Sequence, residues 1–186
     1  FIHPFLAADN FFKFTLLNYR NHRKLVVVDG KVAYTGGMNL AERYRWGNRL
    51  GLWRDTFVRV EGPAVHSMQY SFLVDWSFVD GRVVTDKKYY PELSYFENGE
   101  RVQVVTSGPD SDWRNIMQGV VAAISRAEKE ILIHTPYYMP PEPVMNALET
   151  AALSGVRVRV MIPERNDSKI VAAAGRSYIE SLLRAG

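Results

Sequence analysis

A histidine, a lysine and an asparagine stand at spacings that suit the opening of a phosphodiester. They lie in the run His22-Arg23-Lys24-Leu25-Val26-Val27-Val28-Asp29 and, a little further on, Gly36-Gly37-Met38-Asn39. An imidazole titrates near neutrality, so it can attack phosphorus or protonate a leaving oxygen. An ammonium and an amide NH₂ can stabilise charge on the non-bridging oxygens, usually the largest catalytic contribution. A His-x-Lys pair alone is an ordinary feature of an exposed hairpin. The full spacing through the glycine pair to Asn39 is what points to phosphate chemistry.

The elements that must position these groups can be read from the same run. His22 to Val28 is apolar and β-branched enough to form a strand. Alternate side chains of a strand share a face, so His22, Lys24, Val26 and Val28 point one way and Arg23, Leu25 and Val27 the other. Asp29-Gly30 suits a two-residue hairpin loop, because both positions tolerate positive φ. Lys31 to Thr35 then returns as the partner strand. That loop predicts Val28 opposite Lys31, Lys24 opposite Thr35 and His22 opposite Gly37. Gly36 and Gly37 carry no Cβ, so a ligand or another backbone can approach closely beside the polar pair.

Composition narrows the chemistry. The chain has 186 residues, a formal charge of +3, no cysteine and four histidines. Disulfides and thiolate metal sites are excluded. The histidines are scattered without ligand spacing, so neither a metal nor another cofactor is expected. The mild positive charge permits an anionic substrate without calling for nucleic acid. No apolar run approaches the roughly 20 residues that span a bilayer, and no signal peptide is visible. Phe1 at the start, and Leu182-Leu183-Arg184-Ala185-Gly186 at the close of a helix, read as cuts through a longer protein.

Along the chain, Phe11 to Leu17 reads as a strand leading into the hairpin. A loop rich in Tyr, Arg, Trp and Gly follows it from Arg43 to Leu52, then a short strand from Phe57 to Val60. Gly62-Pro63 starts a helix to about Phe78, with Val65, Met68, Phe72 and Trp76 near helical spacing. Asp80 to Arg101 is polar and irregular, and 86–100 reads as a linker. Beyond it, Val102–Thr106, Ile131–Thr135 and Val156–Ile162 read as strands. Helices alternate with them: one capped by Asp112, one from Pro143 to Gly155, one from Ser168 to about Arg184. This alternation predicts an α/β fold with a parallel sheet flanked by helices.

The pattern His-x-Lys-x4-Asp-x6-Gly-Gly-x-Asn, complete at His22, Lys24, Asp29, Gly36, Gly37 and Asn39, resembles the signature of the phospholipase D superfamily. The wider text is similar to bacterial cardiolipin synthases. The blocks that carry this are Trp53-Arg54-Asp55-Thr56, Glu61-Gly62-Pro63-Ala64-Val65, Asp75-Trp76, Ser107-Gly108-Pro109, Thr135-Pro136-Tyr137-Tyr138 with Pro140, and Asn166-Asp167-Ser168. They cover nearly the whole chain. In two-module members each module ends with its own signature. By that resemblance residues 1–85 are the C-terminal half of a first module and 101–186 the N-terminal half of a second. The fold implied is a phospholipase D-like mixed sheet flanked by helices. The two halves in permuted order could complete one module, which predicts a single sheet.

The resemblance implies a phosphatidyltransferase. One histidine attacks phosphatidylglycerol, glycerol leaves, and a second phosphatidylglycerol takes the phosphatidyl group from the phosphohistidine. The implied partners are this anionic phospholipid, a membrane surface and a second His-x-Lys module; the implied location is the bacterial cell membrane. A phospholipase D or nuclease-type phosphodiesterase is the alternative, because transfer depends on excluding water. With only one signature, the isolated chain is expected to be nearly silent.

Site roles follow residue by residue. His22 is nucleophile or general acid, Lys24 and Asn39 hold phosphate oxygens, and Gly36 and Gly37 open the space. Asp55 is the candidate carboxylate that orients the imidazole. Asp29, in the turn, reads as structural. Tyr137 and Asn166 follow strand carboxyl ends, where α/β sheets bind ligands, and are candidate substrate contacts. Arg157 and Arg159 read as solvated or paired, His66 as a partly exposed helix residue, and His134 as buried and satisfied. His3 carries no signal. Arg43, Tyr44, Arg45, Trp46, Arg49, Leu50, Leu52 and Trp53 fit either a lipid surface or a loop folded over the core.

Overall fold

The computed structural model describes residues 21–108 and 111–186, which form two compact units. The expected strand Phe11–Leu17, and His3, lie outside the described residues. The described strands make two separate sheets rather than the single sheet that the permuted arrangement predicts.

The first unit is built on an antiparallel sheet of β1 (Leu25–Val28), β2 (Val32–Gly36) and β3 (Phe57–Glu61), in that order. Leu25 and Val27 pack on its core, while Val26 and Val28 face outward. The β-branched run thus lies on a sheet covered on one side. A helix α1 of one turn (Arg43–Trp46) sits between β2 and β3, and α2 (Ala64–Asp80) follows β3. The buried residues of α2, Val65, Met68, Gln69 and Leu73, recur at helical spacing. Val65 and Met68 close over Ala33 and Val60. Gly81, at φ 72°, ends the helix, its N–H donating to Ser77 O at 2.9 Å.

The hairpin register is one residue away from the expected one. Val28 pairs with Val32 and Leu25 with Thr35. The reason lies in the turn. Asp29 and Gly30 adopt φ 54° and 65°, and Lys31 N–H donates to Val28 O at 3.0 Å. The ladder resumes only at Val32, so Lys31 is an extra loop residue. The wholly buried Ala33 is thereby paired with Val27, on the core face. Continued by one pair, the register sets Lys24 across from Gly36 rather than Thr35.

The stretch 86–100 lies along this unit. Asp86 Oδ1 accepts from Lys88 N–H at 2.9 Å and caps a single 3₁₀ turn at Lys87–Tyr89. Leu93 and Val104 pack against the core. Tyr89 and Pro91 cover the hairpin turn so closely that a Cβ on Gly30 would lie 2.7 Å from Pro91 Cδ and Tyr89 O. His66, half-buried, donates from Nε2 to Pro91 O at 2.9 Å. Among the described residues Val102–Thr106 joins neither sheet.

The second unit places β4 (Glu130–His134) parallel to β5 (Arg157–Met161). Helix α4 (Glu142–Leu153) makes the crossover between them, flanked in sequence by α3 (Asn115–Ser125) and α5 (Lys169–Ala185). Ile124, Leu148 and Ala151 form its core, joined by Ile131, Ile133, Val158 and Leu182. Helix α3 starts beyond Asp112: its N-cap is Arg114, without a side-chain cap. Ser168 does cap α5, its Oγ accepting from Val171 N–H at 3.4 Å. His134 is exposed, not buried. Strand alternation sets it on the outward face with Glu130 and Leu132, while Ile131 and Ile133 face the core.

Candidate active site

His22 and Lys24 stand where the chain enters β1, and their direction is fixed by their neighbours. Asn21 Nδ2 donates to Asp75 Oδ2 at 2.8 Å, and Asn21 Oδ1 accepts from Arg23 N–H at 2.8 Å. Arg23 Nη1 lies 2.5 Å from Asp75 Oδ1 and 2.7 Å from Oδ2. Both neighbours of His22 are therefore tied to α2. Arg23 is directed to the helix; the expected strand from His22 begins only at Leu25, and His22 and Lys24 lie in the segment just ahead of it. His22 is exposed and Lys24 half-buried. Lys24 Nζ donates to the carbonyl of His22 at 2.7 Å, which holds the ammonium beside the histidine.

The glycines and Asn39 come from the far end of β2. Gly36 ends that strand, paired with Phe57 of β3. Gly37 N–H donates to Thr56 O at 3.4 Å. A Cβ on Gly37 would lie 2.6 Å from Asp55 Oδ1 and 2.9 Å from Oδ2, so the Asp55 carboxylate rests directly on the space glycine leaves. Asp55 is exposed, and among the described residues it makes no hydrogen bond to His22. Asn39 Nδ2 donates to Tyr44 Oη at 3.0 Å. Asp29 occupies the turn in the left-handed region. The hairpin thus carries an imidazole and an ammonium ahead of β1, and the glycine pair and Asn39 at the end of β2, with the Asp55 carboxylate of the next segment against Gly37. Groups of these types are the ones that phosphate chemistry uses: an imidazole as nucleophile or proton donor, and ammonium and amide donors for phosphate oxygens.

Tyr137 and Asn166 belong to the second unit, in the loops after β4 and β5. Tyr137 Oη donates to Asp167 Oδ1 at 2.6 Å, and Asn166 Nδ2 donates to Pro136 O at 3.0 Å. Asn166 Oδ1 also accepts from Ser168 N–H at 3.0 Å. The two loops are stitched together at the carboxyl ends of parallel strands, the usual ligand position in such sheets. On the outward face of that sheet Arg157 and Arg159 both reach Glu130 Oε1, at 3.4 and 3.6 Å.

Sequence reasoning gave no positioning part to two residues that contact the candidate site. Asp75 is the anchor of the strand entry, and Tyr44 is the partner of Asn39. For Asp75 a signal was present: a lone carboxylate inside the apolar text Ser71-Phe72-Leu73-Val74-Asp75-Trp76. A charge in such a helix needs a partner, and Arg23 supplies it. For Tyr44 no spacing rule would have singled it out.

Residues 120–186 match the family described as the cardiolipin synthase PLD-like domain. The chain is 40% identical over 185 residues to the cardiolipin synthase of Geobacillus sp. (strain WCH70), covering 98% of this chain and 37% of that protein. It is 43% identical over 180 residues to the major cardiolipin synthase ClsA of Bacillus subtilis (strain 168), covering 91% of this chain and 36% of the relative. A cardiolipin synthase of Listeria monocytogenes serotype 4a (strain HCC23) is 42% identical over 173 residues, 91% of this chain and 36% of its own length. The chain therefore spans little more than a third of the relatives it matches.

Proposed function

This chain belongs to the bacterial cardiolipin synthases of the phospholipase D superfamily, and we propose that its activity is phosphatidyl transfer between two phosphatidylglycerols. The products are cardiolipin and glycerol. The observation that carries this reading is the hairpin that brings His22 and Lys24 to the end of the sheet where Gly36, Gly37 and Asn39 emerge, with Asp55 against Gly37.

In the proposed course an imidazole nitrogen bonds to phosphorus and the phosphorus–oxygen bond to glycerol breaks. A second, protonated imidazole gives its proton to the departing oxygen. A hydroxyl of the second phosphatidylglycerol then returns a proton to that imidazole, its oxygen bonds to phosphorus, and the phosphorus–nitrogen bond breaks. The covalent step splits one hard displacement into two easier ones. His22 is one of these two imidazoles. Lys24 and Asn39 hold the non-bridging oxygens, the glycines admit them, and Asp55, which stands against Gly37 and is not bonded to His22 in this structure, is the carboxylate that would orient the imidazole when substrate is bound. Tyr137 and Asn166 contact substrate from the second unit. Residues 1–85 and 101–186 are read as halves of successive modules, working at the bacterial membrane.

The sequence holds a single His-x-Lys. The other imidazole comes from a longer chain or a second molecule, so a monomeric sample of these residues alone turns over little. The test gives full-length protein phosphatidylglycerol in detergent micelles and follows products. Cardiolipin and glycerol in equal amounts are expected. Phosphatidic acid without cardiolipin would show a hydrolase and sink the transferase reading.

A further inference from the structure

Between two of the candidate site residues, Asn39 and Asp55, the chain makes an excursion whose side chains divide into two sets. One set ties the excursion to itself. Tyr44 and Trp53 meet edge to face at 5.3 Å, Arg43 lies over both rings, and Asn39 holds the Tyr44 hydroxyl. Trp53 Nε1 donates to Asn48 Oδ1 at 3.1 Å, and Asn48 forms a bridge with Gly51. The other set is left outside. Leu40 is 97% exposed, Leu52 86% and Trp46 67%. A loop that has packed two aromatic rings into its own base, yet leaves two leucines and a tryptophan in water, is not hiding them for stability.

The charges around them are mostly positive. From Leu40 to Arg54 there are four arginines, Arg43, Arg45, Arg49 and Arg54, against one acidic residue, Glu42. Arg45 stacks over the exposed Trp46 at 4.4 Å. Exposed aliphatics, an amphipathic indole and guanidinium groups that have no carboxylate partner among the described residues together suit the interface of an anionic bilayer. There the apolar groups leave water and the cations meet lipid phosphate.

We propose that the excursion from Leu40 to Arg54 is a docking surface for an anionic lipid bilayer. It would hold the membrane beside the hairpin of His22 and Lys24. The idea deepens the phosphatidyl-transfer reading and rests on it for its purpose, but binding can be measured without chemistry. Failure of transfer in micelles, where no bilayer is needed, counts against that reading. Failure to bind vesicles counts against this one.

The chain has no cysteine, so Trp46→Cys creates a unique position for an environment-sensitive dye. With phosphatidylcholine vesicles containing phosphatidylglycerol, the dye at position 46 should shift to the blue. With phosphatidylcholine alone, or with the dye on Glu97→Cys, it should not. Cosedimentation should weaken about thirtyfold for Arg45→Gln/Arg49→Gln on the loop. It should change less than about twofold for Arg157→Gln/Arg159→Gln on the second unit, each cation there being paired with Glu130. Leu40→Ser/Leu52→Ser should also weaken binding, with circular dichroism unchanged. An equal loss from both arginine pairs would overturn the proposal. So would capture by double-stranded DNA with no dye shift on vesicles, which would make the loop a general polyanion site.

Discussion

Arg23 and Asp75 are joined by a charged pair in which one guanidinium nitrogen reaches both carboxylate oxygens, at 2.5 and 2.7 Å. Asn21 adds a further donor at 2.8 Å. The pair is partly exposed, so its worth lies less in stability than in direction. It ties the chain on both sides of His22 to α2.

Asp75→Asn should cost about 1 kcal/mol or less of folding free energy, the range for ion pairs that water can reach. The same variant should lower transfer by far more than that, because the strand entry loses its anchor. The charge swap Arg23→Asp/Asp75→Arg should recover part of the rate. Urea unfolding and product formation measured side by side test this; equal small losses in both would remove the positioning role.

His22→Ala should lower transfer by at least about a hundredfold, whether the imidazole acts as nucleophile or as proton donor. The residue is exposed and its side chain supports no core, so the melting temperature should stay unchanged. Near wild-type rates would place the chemistry elsewhere.

Gly37→Ala should separate two effects. The added methyl would stand 2.6 Å from Asp55 Oδ1, so the carboxylate must move. That carboxylate is the far end of an exposed side chain, so stability should fall by no more than about 1 kcal/mol. Transfer should drop at least tenfold, and Gly37→Ala in an Asp55→Asn background should add little, since the two changes act on one contact. Full additivity would argue that Asp55 and Gly37 act independently.

Tyr138 links pH to the stability of the second unit. It is buried, at 6% exposure, with its hydroxyl against Met145 Sδ at 3.5 Å. Burial, aided by the charge of Glu149, pushes its phenol above the usual 10.0. The folded state thus resists losing this proton while the unfolded state does not. The contribution is fully present below pH 10 and is lost as pH rises through the elevated value. Tyr138→Phe should flatten the decline of stability above pH 10 and change stability at pH 7 by about 1 kcal/mol or less. Denaturation curves at pH 8 and 11 check it; an unaltered slope would refute the assignment.

Much of the site was legible because it is local. The alternation of His22, Lys24 and Val26 against Leu25 and Val27 is written in residue types, and Asp29-Gly30 announces the turn. The register was not legible, since the same two residues suit a loop with or without Lys31 as an extra member. Val102–Thr106 has strand composition, and Val104 does pack on the first core, but the segment joins neither sheet among the described residues. His134 follows apolar residues and so reads as buried, although counting back by twos to Glu130 would have set it outside. Asp75 is far from Arg23 in sequence, and no local rule joins them.

The length of one turn carries a last consequence. Because Lys31 is counted out of the ladder, Ala33 rather than Val32 meets Val27 on the core side. Gly36 thereby comes to the side of Lys24. Loss of Gly30 or Lys31 would keep all six motif residues, shorten only the spacer before Gly36, and exchange the two faces of β2. Evolution can therefore respell this turn, within what positive φ permits at Asp29 and Gly30, more freely than it can resize it. A one-residue gap between Asp29 and Lys31 should mark a defunct copy of this gene as surely as a missing histidine.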